Sequence, residues 1–256
     1  MPGDLSEMLT ERCRQYVDRV DADFVAKKDF YYAWSIGNGS AIVRISDYLR
    51  GAPDAVLADF GEMIVRRAKG LTWSEPDSFM SYVSSDEYIL TRRPVFIGRS
   101  RNLLRTDAGA HAFIPDSVDR LIDVGLLSPS DICNSSFSWT RRDSTRRLGF
   151  CSTMFRVVGI SSALDSPDVS DILRDYVVYH ECLHLRQGYR PSGRVHDMEF
   201  RKWEHSFPGW RECEKQLRAL HVRRCLWHPF IRHRHDPLWS SADSFSTEQT
   251  AMSSYR

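Results

Sequence analysis

The sequence predicts an α+β protein, with helices packed on a small twisted β-sheet, and three observations carry that expectation. Apolar residues recur at helical spacing in several separate segments, and β-branched and aromatic runs stand apart from them in two groups. One of those groups closes on Gly37-Asn38-Gly39, a strong hairpin signal. The chain has 256 residues, 42% hydrophobic and 27% charged, which is ordinary for a globular protein. Folding at this length buries roughly 70 to 75% of the unfolded chain's surface, so neither a disulfide framework nor a structural metal is needed.

Residues 4–26 place Leu5, Met8, Leu9, Cys13, Tyr16, Val17 and Val20 three and four apart, which reads as one amphipathic helix. The runs DFYYAWSI and SAIVRISDYL follow as two antiparallel strands. Pro53-Asp54 opens a helix that puts Val56, Leu57, Phe60, Ile64 and Val65 on one face and stops at Gly70. From 71 to 130 the periodicity weakens to a short helix over 76–88, the arginine-bearing segment TRRPVFIGRSRNLLRT, and a short helix over 116–125. The segments 135–140 and 148–161 read as a second pair of strands flanking the polar turn TRRDSTRR. Pro167-Asp168 starts a long helix that runs to Gly188, with Asp168, Asp171 and Asp175 toward its N-terminal half and Arg186 in its last turn, as the macrodipole favours. HDMEFRKWEHS and the helical WRECEKQLRAL complete a single domain over 1–220. Residues 221–256, basic and then Ser/Thr-rich, are expected to form a largely disordered tail.

Lys plus Arg total 35 against 34 for Asp plus Glu, a net charge of +1, so the chain lacks the positive field of a dedicated DNA-binding protein. The six cysteines are dispersed without a CxxC pair and the N-terminus is polar, which predicts a cytoplasmic protein with free thiols. The sequons at Asn38 and Asn134 are then chance matches. No apolar run approaches the roughly 18 to 20 residues that cross a bilayer, so no membrane partner is expected.

On the long helix lies His180-Glu181-Cys182-Leu183-His184, an HExxH. The four-residue spacing stacks both imidazoles on one helical face, where they can grip one Zn²⁺, and Glu181 can reach a metal-bound water. A catalytic zinc wants a third protein ligand, and four candidates follow: His196, Asp197, Glu199 and His205. His196 is favoured, because zinc prefers imidazole among them and Phe200 four residues on can anchor its direction; Glu199 is the main competitor. Cys182 and Cys151 read as small core residues. Cys213, Cys225, His228, His233 and His235 could form a second metal site only at a spacing that fits no standard pattern. The clusters Arg92-Arg93, 99–105 and 141–147 read as solvated faces ahead of nucleic-acid contacts.

The segments YVVYHECLHL and HDMEF followed by FPGW resemble the SprT-like and YgjP-like group of small zincins, which share a buried HExxH helix and a later His-x-x-x-Phe. SWTRRDSTRRLGFCSTMFRVVGISSALDSP is similar to that group's strand pair, with Gly149-Phe150-Cys151-Ser152 in place of its Gly-x-Cys-Ser. The similarity spans about residues 135–220 and implies a zincin-like fold, His180, His184 and His196 as zinc ligands, and Glu181 as catalytic acid/base. The implied activity is peptide-bond hydrolysis on a polypeptide substrate, including DNA-associated protein. The tail lacks the paired CxxC module of some SprT-like proteins, and the interval from His184 to His196 is longer than in the YgjP-like branch. Two alternatives stand beside this: a YgjP-like nucleoside triphosphate pyrophosphatase whose arginine clusters hold phosphates, and a binding module with a purely structural zinc. Tyr189, Arg194 and His205 are open candidates for stabilising an oxyanion, and the run 149–160 is expected to form the cleft's edge strand.

Overall fold

The computed structural model describes residues 4–191 and 193–227. They form eight α-helices and two three-stranded mixed sheets. They fall into two compact units, whose described parts are residues 4–88 and 89–227.

In the first unit, α1 (Leu5–Cys13) is followed by β1 (Arg19–Val25), β2 (Tyr32–Gly37), β3 (Ser40–Ser46), α2 (Asp54–Ala68) and α3 (Asp77–Val83). The hairpin forms as expected: β2 and β3 pair antiparallel, and Asn38 and Gly39 take φ of 50° and 75°, as a tight primed turn demands. The single helix expected over 4–26 does not form. It ends at Cys13, and residues 19–25 pair parallel with β3. Val20, Ala22 and Phe24 alternate with polar residues, and ladder pairing to β3 outweighs the helical spacing that Val20 shares with Tyr16 and Val17. The opposite edge of β1 is met by α1, where Thr10 Oγ1 accepts the N–H of Val20 at 2.9 Å and Ser6 Oγ that of Ala22 at 3.0 Å. Two hydroxyls one helical turn apart thus stand in for a further strand. Helix α2 buries Val56, Leu57, Phe60, Ile64 and Val65, the face its spacing predicts.

The second unit takes up most of α4 (Asp86–Arg99), a helix where the sequence reads only an arginine-bearing segment. It continues through α5 (Ile114–Asp123), β4 (Ser136–Trp139), β5 (Gly149–Ser152), β6 (Val157–Ile160), α6 (Asp171–Gln187), α7 (Met198–Glu204) and α8 (Trp210–Trp227). The run expected as one strand over 148–161 is two, joined by a turn at 153–156 in which Arg156 adopts φ 50°. The sheet order is β4-β6-β5, with β4 parallel and β5 antiparallel to the central β6. The expected edge strand is therefore β5 alone.

Helix α6 begins at Asp171, later than Pro167-Asp168 suggests, because the preceding backbone is wrapped around a buried guanidinium. Arg174, 4% exposed, donates to the carbonyls of Leu164 at 3.2 Å, Ser166 at 3.4 Å and Val169 at 3.0 Å. Carbonyls turned toward that side chain are not turned along a helix axis. From Leu173 to Leu185 every residue of α6 is buried, within a core that takes in Trp139, Leu148, Cys151, Val158 and Ile160 from the sheet and Phe200, Phe207 and Leu217 from the later helices. Helix α8 carries on past residue 220 to Trp227; the remainder of the expected tail, 228–256, lies outside the described residues.

Candidate metal centre

Helix α6 supplies His180, Glu181 and His184, with the two imidazoles one turn apart and only 2% and 5% exposed. His196 arrives from the segment ahead of α7, and its Nε2 stands 3.3 Å from Nε2 of His184. A ligand atom from each of the three histidines lies within 4.8 Å of the others. Phe200 packs against all three rings, at centroid distances of 5.2 Å from His180, 4.7 Å from His184 and 4.6 Å from His196. His196 therefore has the apolar anchor that its spacing to Phe200 predicts.

The other three downstream candidates are engaged elsewhere or turned to solvent. Asp197 caps α7, accepting the N–H of Phe200 at 2.8 Å, and pairs with Arg190 at 2.8 Å, which ties the connecting loop to the helix that follows. Glu199 is exposed, and His205, also exposed, stacks on Trp210 at 3.9 Å between ring centroids.

Burial holds the pKa of His180 and of His184 well below the usual 6.5, and the neighbouring imidazoles add to the effect; His196 is lowered too, again chiefly by burial. Neutral imidazoles offer lone pairs. Around a tetrahedral zinc with Zn–N bonds of about 2.0–2.1 Å, ligand nitrogens lie about 3.3 Å apart, which is the His184–His196 spacing already present. The donor set thus suits a metal of borderline softness.

A fourth residue belongs to this cluster and was not among the sequence candidates. Glu204 Oε1 lies 2.7 Å from His180 Nδ1, and the Tyr176 hydroxyl donates to the same oxygen at 3.5 Å. Burial pushes the Glu204 carboxyl above the usual carboxylate range. A partial signal was present, since Phe200 and Glu204 are four residues apart, which lines them along one face of α7.

Glu181, 3% exposed, faces the opening residue of β5. A Cβ at Gly149 would overlap its Oε1 and come within 2.7 Å of its Cγ, so the glycine vacates the space the carboxyl fills. The N–H of Ser161 donates to Leu148 O at 2.8 Å. By the alternation of an antiparallel ladder, the N–H and C=O of Gly149 then point to the outer edge of β5, where no described strand pairs. The site therefore sets a carboxyl group, three imidazoles and a strand edge side by side.

Cys182 and Cys151 are buried at 0% and 4% exposure, as core residues, and burial pushes the Cys182 thiol up. Cys213 is likewise buried, while His228, His233, His235 and the side chain of Cys225 lie outside the described residues. Arg93 is not a solvated cation: it is half-buried and donates to the carbonyls of Phe155, at 3.0 Å, and Asn134. Among the oxyanion candidates, Arg194 is exposed and Tyr189 half-buried, both on the loop joining α6 to α7. No described helix is long and apolar enough to cross a membrane. Comparison of the chain with protein-family models, with curated proteins and with solved structures finds no match.

Proposed function

We propose that the chain is a zinc-dependent metallopeptidase with a zincin-like fold, similar to the SprT-like and YgjP-like group, acting on extended polypeptide. The observation that carries this is the convergence of three imidazoles, those of His180 and His184 buried and that of His196 half-buried, with Glu181 beside the outer edge of β5. Three imidazole nitrogens turned toward one another cannot all satisfy themselves with shared protons, and that makes a poor core but a good ligand set. A bound zinc ion would supply Lewis-acid polarisation of a carbonyl and would acidify water at neutral pH.

The chain's own residues divide the remaining work. His180, His184 and His196 hold the metal. Glu181 accepts a proton from the attacking water at a carboxylate oxygen and passes it to the leaving amine. The outward N–H and C=O of Gly149 pair with substrate backbone, which aligns an extended peptide without strict sequence preference. The pyrophosphatase alternative needs arginines free to hold phosphates, and Arg93, one member of those clusters, is held through Nε and one Nη by backbone carbonyls. A purely structural zinc has no use for a buried carboxyl group lodged at Gly149.

The decisive experiment assays zinc-loaded protein on unfolded polypeptide, with and without single-stranded DNA, and on nucleoside triphosphates, next to Glu181→Gln. Turnover of polypeptide is expected, with Glu181→Gln keeping zinc and losing several orders of magnitude in rate. Alanine at His180, His184 or His196 should remove most of the zinc. Turnover of nucleotide alone, abolished by Glu181→Gln, would replace the peptidase with the pyrophosphatase.

A further inference from the structure

We infer that Glu204 is a positioning residue of the metal centre: its carboxylate holds the Nδ1–H of His180, which fixes that imidazole's tautomer and aims Nε2 at the metal. This role rests on the metal site proposed above and adds a member that the HExxH motif does not contain.

The geometry is direct. Oε1 of Glu204 stands 2.7 Å from His180 Nδ1, between a residue 9% exposed and one 2% exposed. A carboxylate can only accept, so the proton shared across this 2.7 Å contact is the one on Nδ1. The lone pair left for a metal is then on Nε2. A ligating histidine whose other nitrogen is held by a carboxylate is oriented in advance and is a more basic ligand.

The same helix explains why the carboxylate arrives there. Phe200 and Glu204 lie four residues apart on one face of α7, which presents the apolar floor under all three rings and the carboxylate together, and His196 stands just ahead of that helix's Asp197 cap. Helix α6 answers with Tyr176 and Tyr179, one turn apart. Tyr176 donates to Glu204 at 3.5 Å, and Tyr179 donates to the Trp203 carbonyl at 2.8 Å. The second contact docks α7 without touching a ligand, which supplies a control. A buried carboxyl group is a poor choice for docking alone, because an apolar side chain would hold two helices together at less desolvation cost.

The test measures zinc affinity by competition with a chromophoric chelator, in the full chain, for wild type, Glu204→Gln, Glu204→Asp and Tyr179→Phe. Thermal melting of each metal-free protein verifies its fold. Glu204→Gln keeps size and loses charge; its zinc Kd should rise about 10- to 100-fold. Glu204→Asp withdraws the oxygen by one methylene and should also raise Kd, so the test stands if the glutamine variant fails to fold. Tyr179→Phe should lower the melting temperature and leave Kd within about threefold of wild type. Unchanged Kd in a folded Glu204 variant, or an equal rise in Tyr179→Phe, would overturn the role while leaving the metal site intact. A wild-type protein that binds no zinc would instead remove the metal site itself, and the role with it.

Discussion

At the scale of single residues, the candidate site depends on one absent side chain as much as on those present. Glu181 occupies the volume that a Cβ at position 149 would need, so Gly149→Ala should displace its carboxyl group without touching a histidine. The atoms nearest that Cβ all belong to the Glu181 side chain and none is backbone, hence the fold and zinc content should survive. A shift of about 1 Å in a proton-transferring group costs on the order of 10²-fold in rate. Gly149→Ala is accordingly expected to lose about 10²-fold in kcat/KM on unfolded protein at full zinc occupancy; a wild-type rate in the loaded variant would refute the packing argument. The buried imidazoles make a second prediction, about pH. Because the native pKa values of His180 and His184 lie below 6.5, the unfolded chain binds more protons than the native one as pH falls through that value. Stability therefore drops below about pH 6.5, with a slope approaching about 1.4 kcal/mol per pH unit for each imidazole. The raised carboxyl of Glu204 acts in the opposite sense, nearer its own range. Urea melts of metal-free protein at about pH 7.5 and 5.5 should show the weaker fold at the lower pH, and equal midpoints would mean that the imidazoles are not kept neutral.

Among the elements, α1 and α7 do work that their sequences advertise poorly. Helix α1 carries Ser6 and Thr10 on the side that faces the edge of β1, and each hydroxyl accepts an N–H that a neighbouring strand would otherwise have to satisfy. Thr10→Val preserves shape and removes that acceptor, leaving the N–H of Val20 without its partner. The expected cost is about 1–2 kcal/mol, read as a lower urea midpoint with an unchanged m-value. An unaltered midpoint would show that water replaces the hydroxyl at no cost. Helix α7 is seven residues long, Met198–Glu204, too short to be stable alone. It is held by its Asp197 cap, by the burial of Phe200 and by the two tyrosine hydroxyls of α6. The short helix that follows the third ligand and packs Phe200 against it thus takes its stability from the helix that carries the first two.

For the molecule as a whole, each compact unit has its own three-stranded sheet, and every residue assigned to the metal centre lies within 89–227. The core around α6 is likewise built from residues 114–217. A fragment spanning 86–227, which keeps α4 whole, should therefore fold and bind zinc with an affinity within a few-fold of the full chain. Circular dichroism and chelator competition on that fragment provide the check. Loss of zinc binding in a folded fragment would show that residues outside 86–227 contribute to the site.

Local spacing by itself determined the chemistry-bearing part of this protein. Residues 180 and 184 fall on one face of any helix, and Asn38-Gly39 admits one kind of turn. These relations span a few residues and survive any global arrangement. Pairings between distant segments were decided only by the tertiary structure. Residues 19–25 read as helix until β3 offers a parallel partner, and β4 pairs with β6 past the intervening β5, an order that no local pattern announces. Helix α6 starts late because a guanidinium inside it collects carbonyls from the preceding loop. Glu204 looks like one more surface glutamate until burial brings its oxygen to His180 Nδ1. In each of these cases the stabilising partner lies far along the chain, and a long-range hydrogen bond in a dry interior outweighs the few tenths of a kcal/mol that local propensity contributes.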